Sequence, residues 1–465
     1  MVARRIIPQN LPSMILLRCV LPILLALVCH ALPAQNPIIQ TMYTADPAPL
    51  VYGDTVFLYV GHDEDDAPDR AFLMREYALF TSSDMVNWTP HPVPLKTSDF
   101  AWSAGDASAA QVIERDGKWY WYISSLNRES PGVSVGVAVA DSPYGPFRDA
   151  LGEALVTNAM TTYGKHSWDD LDPTAWIDDD GQAWLYWGNN ACYRVKLNDN
   201  MISLKGEIEA LDITDEGAFG PDFEEAPWIY RRADRYYMIY ASDPNESLHY
   251  TTAERLDGNW TYGGKLMDPT GRSGSNHPAV IEFRGQPYFF YHTGELPGGG
   301  DFRRAVCVQP FDYNADGSIP AIPKTTTGVI NGVGTVNAYR RNEAETVAWS
   351  EGLKVKEDAT AGVYLADIHN GDYLRVRDVD FRDGRAAAFT ASVASRYLGG
   401  TVEIRLDSVA GDSLGTLRVP YLGDWDDWRE VTTEVRPARG VHDLYLVFRG
   451  GTPHELFRVD WWRFE

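Results

Sequence analysis

A short pattern of residues recurs five times along this chain. Each copy begins with an acidic or polar residue beside a small residue or proline, and continues through an apolar run and a polar turn into an aromatic-rich strand. Successive copies are separated by 62, 64, 53 and 52 residues. They start at Asp46, Ser108, Asp172, Glu225 and His277. A β-rich repeat of this period is typical of a propeller in which each repeat forms one blade. We therefore expect residues 35–325 of an all-β protein to form a five-bladed β-propeller.

The equivalent positions of all blades in a propeller meet at one axis, even when the residues are far apart in sequence. Asp46, Asp172 and Glu225 hold the same position in three of the repeats. Hydrolysis of a glycosidic bond requires one carboxylic acid that protonates the leaving oxygen and a second, ionised carboxyl group that acts as base or nucleophile. The sequence therefore predicts a catalytic centre at these three residues. A single Asp-Pro pair would be weaker evidence, because Asp and Pro also favour ordinary turns.

The three acids differ in reach and surroundings, which suggests separate roles. Glu225 has the longest side chain and precedes an apolar strand, so burial against Trp228 would raise its pKa and suit a general acid. Asp46 would then be the base, and Asp172 would orient Glu225 and tune its pKa. Glu224 is a rival to Glu225, but successive strand residues face opposite ways and the repeat register selects Glu225. A wide axial well leaves room for a water molecule between acid and base, which predicts inversion of configuration.

The charge balance restricts the possible partners. The formal net charge is −24 at pH 7. This argues against nucleic acids and anionic membrane surfaces as partners, because both attract basic proteins. A neutral substrate is compatible with such a charge.

The first 34 residues differ from the rest of the chain. They contain three arginines, no acidic residue, an apolar run over 19–29 and small residues before position 35. These features predict a secretory signal peptide over residues 1–34, and hence a secreted or periplasmic protein that is not attached to a membrane after cleavage. An uncleaved membrane anchor is the alternative. Removal of this segment leaves Cys192 and Cys307, which we interpret as two buried thiols rather than a disulfide framework.

A second region follows the repeats. Proline, threonine and glycine residues make 326–338 resemble a linker, or alternatively an ordered strap that closes the propeller. Alternating runs of strand-like sequence then recur about every dozen residues between Ala388 and Trp462. This spacing predicts a β-sandwich, of jelly-roll type, over residues 339–465.

Three short blocks resemble the catalytic motifs of glycoside hydrolase family 43. They are Ala45-Asp46-Pro47, Leu171-Asp172-Pro173-Thr174 and Glu225-Ala226-Pro227. The resemblance extends over nearly all of residues 38–325. It implies an inverting hydrolase built on a five-bladed propeller, in which Asp46 is the base, Asp172 the pKa modulator and Glu225 the acid. These roles agree with those assigned from the residues themselves.

The same resemblance implies further substrate-binding residues. His277 occupies the repeat position of the last blade, where a histidine lies beneath the sugar or helps to hold a central cation. One of the pair Arg303 and Arg304 corresponds to an axial arginine that would hold sugar hydroxyls. Trp102 corresponds to an aromatic residue that lines the substrate cleft. A purely structural histidine and packing of Trp102 at the rim are the alternatives.

Residues 343–465 resemble a carbohydrate-binding module of family 6. The matching segments are Glu343-Ala-Glu345, Asn370-Gly-Asp-Tyr373, Gly423-Asp-Trp425 and Val459-Asp-Trp-Trp. The resemblance implies that Tyr364 and Trp425 sandwich a sugar residue. Arg458 departs from the family, because many members carry at this position an asparagine that binds the sugar. A docking domain without affinity for sugar is therefore the alternative.

The resemblance also implies a structural calcium ion in this module, near Glu343, Glu345 and Asp460. Acidic oxygen ligands suit that ion. The hydrolytic chemistry itself requires no cofactor, since the carboxyl groups and water supply every proton that moves.

The two regions together resemble bacterial arabinoxylan arabinofuranohydrolases, including the segment Tyr339-Arg-Arg-Asn-Glu-Ala-Glu345 at their junction. This resemblance implies an α-L-arabinofuranosidase that releases arabinofuranosyl side chains from arabinoxylan or a related plant cell-wall polysaccharide. The alternatives are a β-xylosidase, an endo-acting xylanase or arabinanase, and a non-catalytic polysaccharide-binding propeller. We expect the protein to be a monomer.

Overall fold

Five antiparallel sheets, each built mainly of consecutive strands, follow one another between Thr44 and Pro310. The computed structural model describes residues 35–68, 70–161, 166–243 and 246–465. The predicted signal peptide, residues 1–34, lies outside the described residues. The described residues belong to one compact unit. Within the described ranges, no helix is long and apolar enough to cross a membrane.

The first sheet contains β1 Thr44–Tyr52, β2 Thr55–Asp63, β3 Met74–Ser82, β4 Thr89–Pro90 and β5 Leu95–Lys96. A 3₁₀ helix, Thr97–Asp99, precedes the second sheet. The second sheet contains β6 Ser103–Arg115, β7 Lys118–Asn127, β8 Val133–Ala140 and β9 Arg148–Asp149. The third sheet contains β10 Thr174–Ile177, β11 Ala183–Trp187, β12 Tyr193–Leu197 and β13 Leu204–Ala210. A one-turn helix, α1 Glu216–Phe219, follows. The fourth sheet contains β14 Glu225–Arg232, β15 Arg235–Ser242, β16 Ser247–Ala253 and β17 Thr261–Met267. The fifth sheet contains β18 Ala279–Phe283, β19 Gln286–Thr293 and β20 Ala305–Pro310.

The first strands of the five sheets contact one another in a closed ring. β1 touches β6, β6 touches β10, β10 touches β14, β14 touches β18, and β18 returns to β1. This ring confirms the propeller predicted from the repeat and places the first strand of each blade nearest the axis. A two-residue turn at Asp116 and Gly117 joins β6 to β7, and the φ values of these residues, 55° and 75°, are those of a tight hairpin turn.

Aromatic side chains of the strands pack between neighbouring blades. The ring of Tyr59 in blade one lies edge to face with Trp121 in blade two, at a centroid distance of 4.9 Å. Such pairs bury large areas and add a directional attraction, so they hold the blades face to face. Cys192 and Cys307 lie in the same apolar layers as buried free thiols, which confirms the prediction made for them.

The ring closes through the residues that precede β1. The N–H of Ile38 donates to the carbonyl oxygen of Val306 in β20 at 2.9 Å. The N–H of Val308, also in β20, donates to Oδ1 of Asn36 at 3.0 Å, although the two residues are 272 positions apart. The last blade is therefore completed by the N-terminal segment of the propeller.

The C-terminal region is a sandwich of two six-stranded sheets. One sheet contains β21 Val336–Asn337, β23 Trp349–Glu351, β26 Tyr373–Asp380, β28 Gly400–Leu406, β29 Ser413–Val419 and β31 Val441–Arg449. The other contains β22 Asn342–Glu343, β24 Lys354–Asp358, β25 Gly362–Ala366, β27 Ala388–Ser395, β30 Asp424–Glu434 and β32 Arg458–Phe464. A separate apolar core that includes Leu374, Phe389 and Trp462 lies between them. This arrangement confirms the predicted β-sandwich.

Residues 326–338 run between the propeller and the sandwich. Val329 is buried, and its carbonyl oxygen accepts a hydrogen bond from Arg377 Nη1 at 2.9 Å. The two regions also touch directly, because Trp88 and Val347 exchange backbone hydrogen bonds of 2.9 and 3.1 Å. The sandwich therefore packs against blade one.

Candidate active site

Asp46, Asp172 and Glu225 line one cavity of about 490 Å³. Asp46 lies near the start of β1, Asp172 lies two residues before β10, and Glu225 begins β14. These are equivalent positions of blades one, three and four, so the ring of first strands brings them together. The three carboxyl groups thus share one site although successive members are 53 residues or more apart in sequence.

The backbone leaves regular strand geometry at these residues. Asp46 and Asp172 have φ values of 53° and 60°, and Ala226, next to Glu225, has a φ of 61°. The pairing of β1 with β2 and of β14 with β15 shifts register at the same points. A bulge that contains a left-handed residue redirects side chains that strand alternation would send elsewhere. The irregular backbone therefore explains how all three carboxyl groups reach one cavity.

Arg304 joins Asp46 to a second buried acid, Asp63. Its Nη1 donates to Asp46 Oδ1 at 2.9 Å and to Ser275 Oγ at 3.0 Å. Its Nε and Nη2 donate to the two oxygens of Asp63 at 2.8 and 2.9 Å. This bidentate pair fixes the orientation of the guanidinium and hence the position of the Nη1 donor beside Asp46. Arg304 and Asp63 are both buried, so each charged group is stabilised by the other instead of by water.

The two neighbouring arginines have different surroundings. Arg303 donates from Nη2 to the backbone carbonyl oxygen of Ala67 at 2.6 Å and lines a separate surface depression with Arg70 and Asp301. Arg304 lines the axial cavity. The sequence left the choice between them open, and the structure assigns the axial position to Arg304 and not to Arg303.

Two buried histidines lie beside the carboxyl groups. His277 Nδ1 is 4.0 Å from Asp46 Oδ1 and 4.0 Å from Asp172 Oδ2. Burial lowers the pKa of His277 to about 3, so its ring is neutral near pH 7. His292 Nε2 donates to the carbonyl oxygen of Ser275 at 2.7 Å, which leaves Nδ1 to accept the Asp46 N–H at 3.3 Å. His277 therefore lies in the predicted site, whereas no sequence signal pointed to His292.

Burial raises the pKa values of all three carboxyl groups. The pKa of Asp46 rises to about 6 because the side chain is buried, although Arg304 opposes the shift. The pKa of Glu225 rises to about 7 through burial, although the hydrogen bond from Asn189 Nδ2, at 2.5 Å, opposes it. Burial and then the neighbouring Glu225 raise the pKa of Asp172 well above its usual value. Between these pKa values, at about pH 6 to 7, Asp46 is ionised and Glu225 is protonated, as acid–base hydrolysis requires.

Other residues line the cavity without having been predicted. Glu246 and Asn189 are buried in its wall. Trp168 also lines it, with 52% of the residue exposed and its ring stacked on His166 at a centroid distance of 4.0 Å. Trp168 belongs to the stretch between β9 and β10, which shows no strand pattern. The absence of a strand pattern is typical of a loop at the rim of a cavity, and it is the sequence feature that could have indicated Trp168.

Trp102 does not line the cavity. It is only 3% exposed, meets Phe100 edge to face at 5.5 Å, and covers Gly136 so closely that an added Cβ would lie 2.3 Å from the indole ring. The prediction that Trp102 contacts the substrate is therefore wrong. The side chain instead fills the space that the absent side chain of Gly136 leaves open.

In the C-terminal sandwich, Arg458 packs on both aromatic rings that were predicted to hold a sugar. Its guanidinium lies 5.2 Å from the ring centroid of Tyr364 and 4.5 Å from that of Trp425. Its Nη1 donates to the Tyr364 hydroxyl at 3.1 Å, and its Nε donates to Glu455 at 3.4 Å. A cation over two aromatic faces is attracted to both. In this structure the protein's own arginine therefore competes for the ring faces that a sugar would use.

The acids Glu343, Glu345 and Asp460 lie near Arg341. Arg341 Nη2 donates to Glu343 Oε2 at 2.9 Å and to Asp460 Oδ1 at 3.3 Å. The buried Oε2 of Glu345 has no hydrogen-bond partner within the described residues, and such an oxygen suits a cation. No group of three His, Cys, Asp or Glu side chains in the described part of the chain has the arrangement of a metal site. The calcium ion therefore stays a prediction.

Comparison with known proteins finds a matching family for each of the two regions. Residues 34–319 match the family model of glycosyl hydrolases family 43, and residues 343–465 match that of the carbohydrate binding module (family 6). An arabinoxylan arabinofuranohydrolase of Bacillus subtilis is 31% identical over an alignment of 485 positions, gaps included, which covers 92% of this chain and 92% of that protein. One of Paenibacillus polymyxa is 31% identical over an alignment of 487 positions, gaps included, which covers 92% of this chain and 74% of that protein.

A solved structure resembles most of the chain. The crystal structure of a family 43 arabinoxylan arabinofuranohydrolase from Bacillus subtilis, in complex with cellotetraose, matches with a TM-score of 0.79 and 29% identity. The match covers 93% of this chain and 97% of that one. A propeller with convergent carboxyl groups, followed by a carbohydrate-binding sandwich, defines a modular glycoside hydrolase. The chain belongs to glycosyl hydrolases family 43, which confirms the resemblance found in the three acidic motifs.

Proposed function

We propose that this enzyme releases α-L-arabinofuranosyl side chains from arabinoxylan with inversion of configuration. The observation that carries the proposal is the axial cavity, where burial gives Asp46 and Glu225 pKa values of about 6 and about 7. One ionised and one protonated carboxyl group therefore coexist near neutral pH. The two bacterial relatives named arabinoxylan arabinofuranohydrolase support arabinoxylan as the substrate.

Glu225 acts as the general acid in this proposal. Its carboxyl proton passes to the glycosidic oxygen while the bond from that oxygen to the anomeric carbon breaks. Asp46 takes a proton from a water molecule, whose oxygen forms the new bond to the anomeric carbon on the opposite face. The products are free arabinose of inverted configuration and a xylan hydroxyl group.

Asp172 and Arg304 set the protonation states of the reacting pair. Asp172 Oδ2 accepts the N–H of Ala226 at 3.0 Å and so is tied to the residue that follows Glu225. Because the carboxyl groups of Asp172 and Glu225 interact, the proton on one depends on the charge of the other. The cation of Arg304 lowers the pKa of Asp46 against the effect of burial and so favours the ionised base.

Product analysis on arabinoxylan tests the assignment. We expect arabinose without shortening of the xylan backbone, measured by anion-exchange and size-exclusion chromatography. Proton NMR during the first turnovers should show the β-anomer. Asp46→Asn should lower kcat/KM by about 10²- to 10⁴-fold.

Other products would replace the proposal. Xylose or xylo-oligosaccharides alone would identify a β-xylosidase or an endo-acting enzyme. A folded wild-type protein without turnover on any pentoside would favour the non-catalytic binder.

We also propose two properties of the whole protein. Glu343, Glu345 and Asp460 hold a structural calcium ion, which would neutralise the unsatisfied carboxylate of Glu345 and take no part in hydrolysis. The arginines, apolar run and small residues of 1–34 support export to the periplasm or the medium. N-terminal sequencing of the protein from its native host tests the export, since a mature chain should begin near residue 35.

A further inference from the structure

Glu246 is a further carboxyl group in the axial cavity. It follows β15 in the turn that leads to β16, where its N–H donates to the carbonyl oxygen of Asp243 at 2.9 Å. The residue is 8% exposed and lines the cavity together with Asp172 and Glu225. Its φ of 51° is rare for a residue with a side chain, and such a conformation persists only where the surrounding contacts enforce it.

One oxygen of Glu246 is used within the protein and the other is not. Oε2 accepts the N–H of Asn276, the residue before His277. Oε1 has no hydrogen bond to any described residue. It is nevertheless not one of the fully buried oxygens, so part of its surface is accessible. Because the residue lines the cavity, this oxygen is available to a ligand.

Several other polar groups of the cavity wall are already committed. Arg304 directs its donors to Asp63, Asp46 and Ser275. Asp46 and Glu225 carry out the proton transfers of the proposed reaction. A pentosyl residue loses water from its hydroxyl groups when it enters the cavity, and each hydroxyl left without a partner weakens binding.

The charge state of Glu246 suits a donor. Burial, and then repulsion from Glu225, raises the pKa of Glu246 well above its usual value. Asp172 adds to this repulsion and Arg304 opposes it. A neutral carboxyl group that accepts the Asn276 N–H through one oxygen presents an O–H through the other.

We propose that Glu246 is a specificity-determining residue that donates a hydrogen bond to one hydroxyl group of the pentosyl residue in the cavity. This role rests on the proposed function. A site built to bond a hydroxyl discriminates strongly against a substrate that lacks it, because its own polar group is then left unpaired.

A cycle that deletes the side chain and the sugar hydroxyl in turn tests the role. The substrates are 4-nitrophenyl α-L-arabinofuranoside and its 2-, 3- and 5-deoxy analogues. For the wild type, we expect one analogue to lose about tenfold to a hundredfold in kcat/KM. In Glu246→Ala that analogue and the parent should be cleaved with similar kcat/KM, because the deleted interaction is already gone. Glu246→Gln keeps an acceptor for Asn276 and a donor towards the sugar, so it should retain the discrimination.

The structural alternative is that Glu246 only anchors the backbone at Asn276. In that case Glu246→Ala would lower kcat/KM by the same factor for all four substrates, and this result would overturn the proposal. Glu246→Met keeps the length of the side chain and provides the same comparison if the alanine variant unfolds. Glu254→Ala, exposed just beyond β16, is the matched control and should leave all four values unchanged.

Failure of the substrate assignment would be seen separately. Wild-type activity is first compared on 4-nitrophenyl α-L-arabinofuranoside and 4-nitrophenyl β-D-xylopyranoside. If only the xyloside is cleaved, the arabinose assignment fails, and the cycle is run on deoxyxylosides. The role of Glu246 is then tested only by whether Glu246→Ala abolishes the discrimination between the parent xyloside and its deoxy analogues.

Discussion

The hydrogen bond from Asn189 to Glu225 should set the alkaline limit of activity. Asn189 Nδ2 lies 2.5 Å from Glu225 Oε2 and favours the ionised form of the acid, against the effect of burial. Asn189→Ala removes this bond and should raise the pKa of Glu225 from about 7. A general acid must be protonated to work, so a higher pKa extends activity to higher pH.

The size of this shift follows from the strength of the bond. A hydrogen bond to a charged group contributes roughly 1.5–3 kcal/mol, and one pKa unit corresponds to about 1.36 kcal/mol. The largest shift is therefore about 1–2 units. Glu225 is only partly buried, so water replaces part of the lost bond and we expect about 0.5–1 unit. The protonated fraction of Glu225 at pH 8 should then rise roughly three- to fivefold.

The assay is kcat/KM for arabinose release from arabinoxylan oligosaccharides between about pH 4 and pH 9, because a sugar leaving group needs the proton of the acid. The acidic limb, set by Asp46 with its pKa of about 6, should stay in place because Asn189 does not bond to Asp46. Asn198→Ala, which removes a hydrogen-bonded asparagine elsewhere in blade three, is the control and should move neither limb. An alkaline limb of Asn189→Ala that stays fixed or moves to lower pH would refute the reasoning.

Three further outcomes follow from the contacts of charged side chains. Asp63→Leu leaves Arg304 without its bidentate partner and should lower the free energy of unfolding by about 3–5 kcal/mol, measured by urea denaturation. The control Glu254→Ala should change it little, and a loss below about 1 kcal/mol in Asp63→Leu would contradict the reasoning. Arg458→Ala frees two aromatic faces and should increase retardation of the protein in gels that contain arabinoxylan, and unchanged mobility would show that Arg458 does not block the cleft. Calcium in place of chelator should raise the melting temperature through the site at Glu345, whereas an unchanged value would remove the ion from the proposal.

The sequence located the three axial carboxyl groups because a repeat converts distance along the chain into proximity around an axis. Asp46, Asp172, Glu225 and His277 share one repeat position, and the ring of first strands brings all four to the cavity. The aromatic strands of the propeller and the strands of the sandwich could also be predicted from the sequence, because their periodicity reflects which side of a sheet is buried.

The remainder of the site lies outside this periodicity. Asp63 ends a second strand and Glu246 lies in a turn, and no equivalent position in other repeats marks either residue as functional. Arg303 and Arg304 precede β20, where strand alternation does not yet decide which side chain faces inward. Trp102 was misassigned because its burial depends on Gly136, a contact that only the packed structure reveals. Contacts between elements, rather than patterns within them, determine these features.

During translation, Asn36 is synthesised long before its hydrogen-bond partner Val308. During most of the synthesis of the propeller, the segment around Ile38 is therefore an unpaired edge whose partner strand does not yet exist. Four finished blades would still form an open arc, and only the arrival of the fifth lets the two ends join. Nascent chains that stop before β20 should remain open to proteases and to mispairing with other chains, however well their first blades are packed.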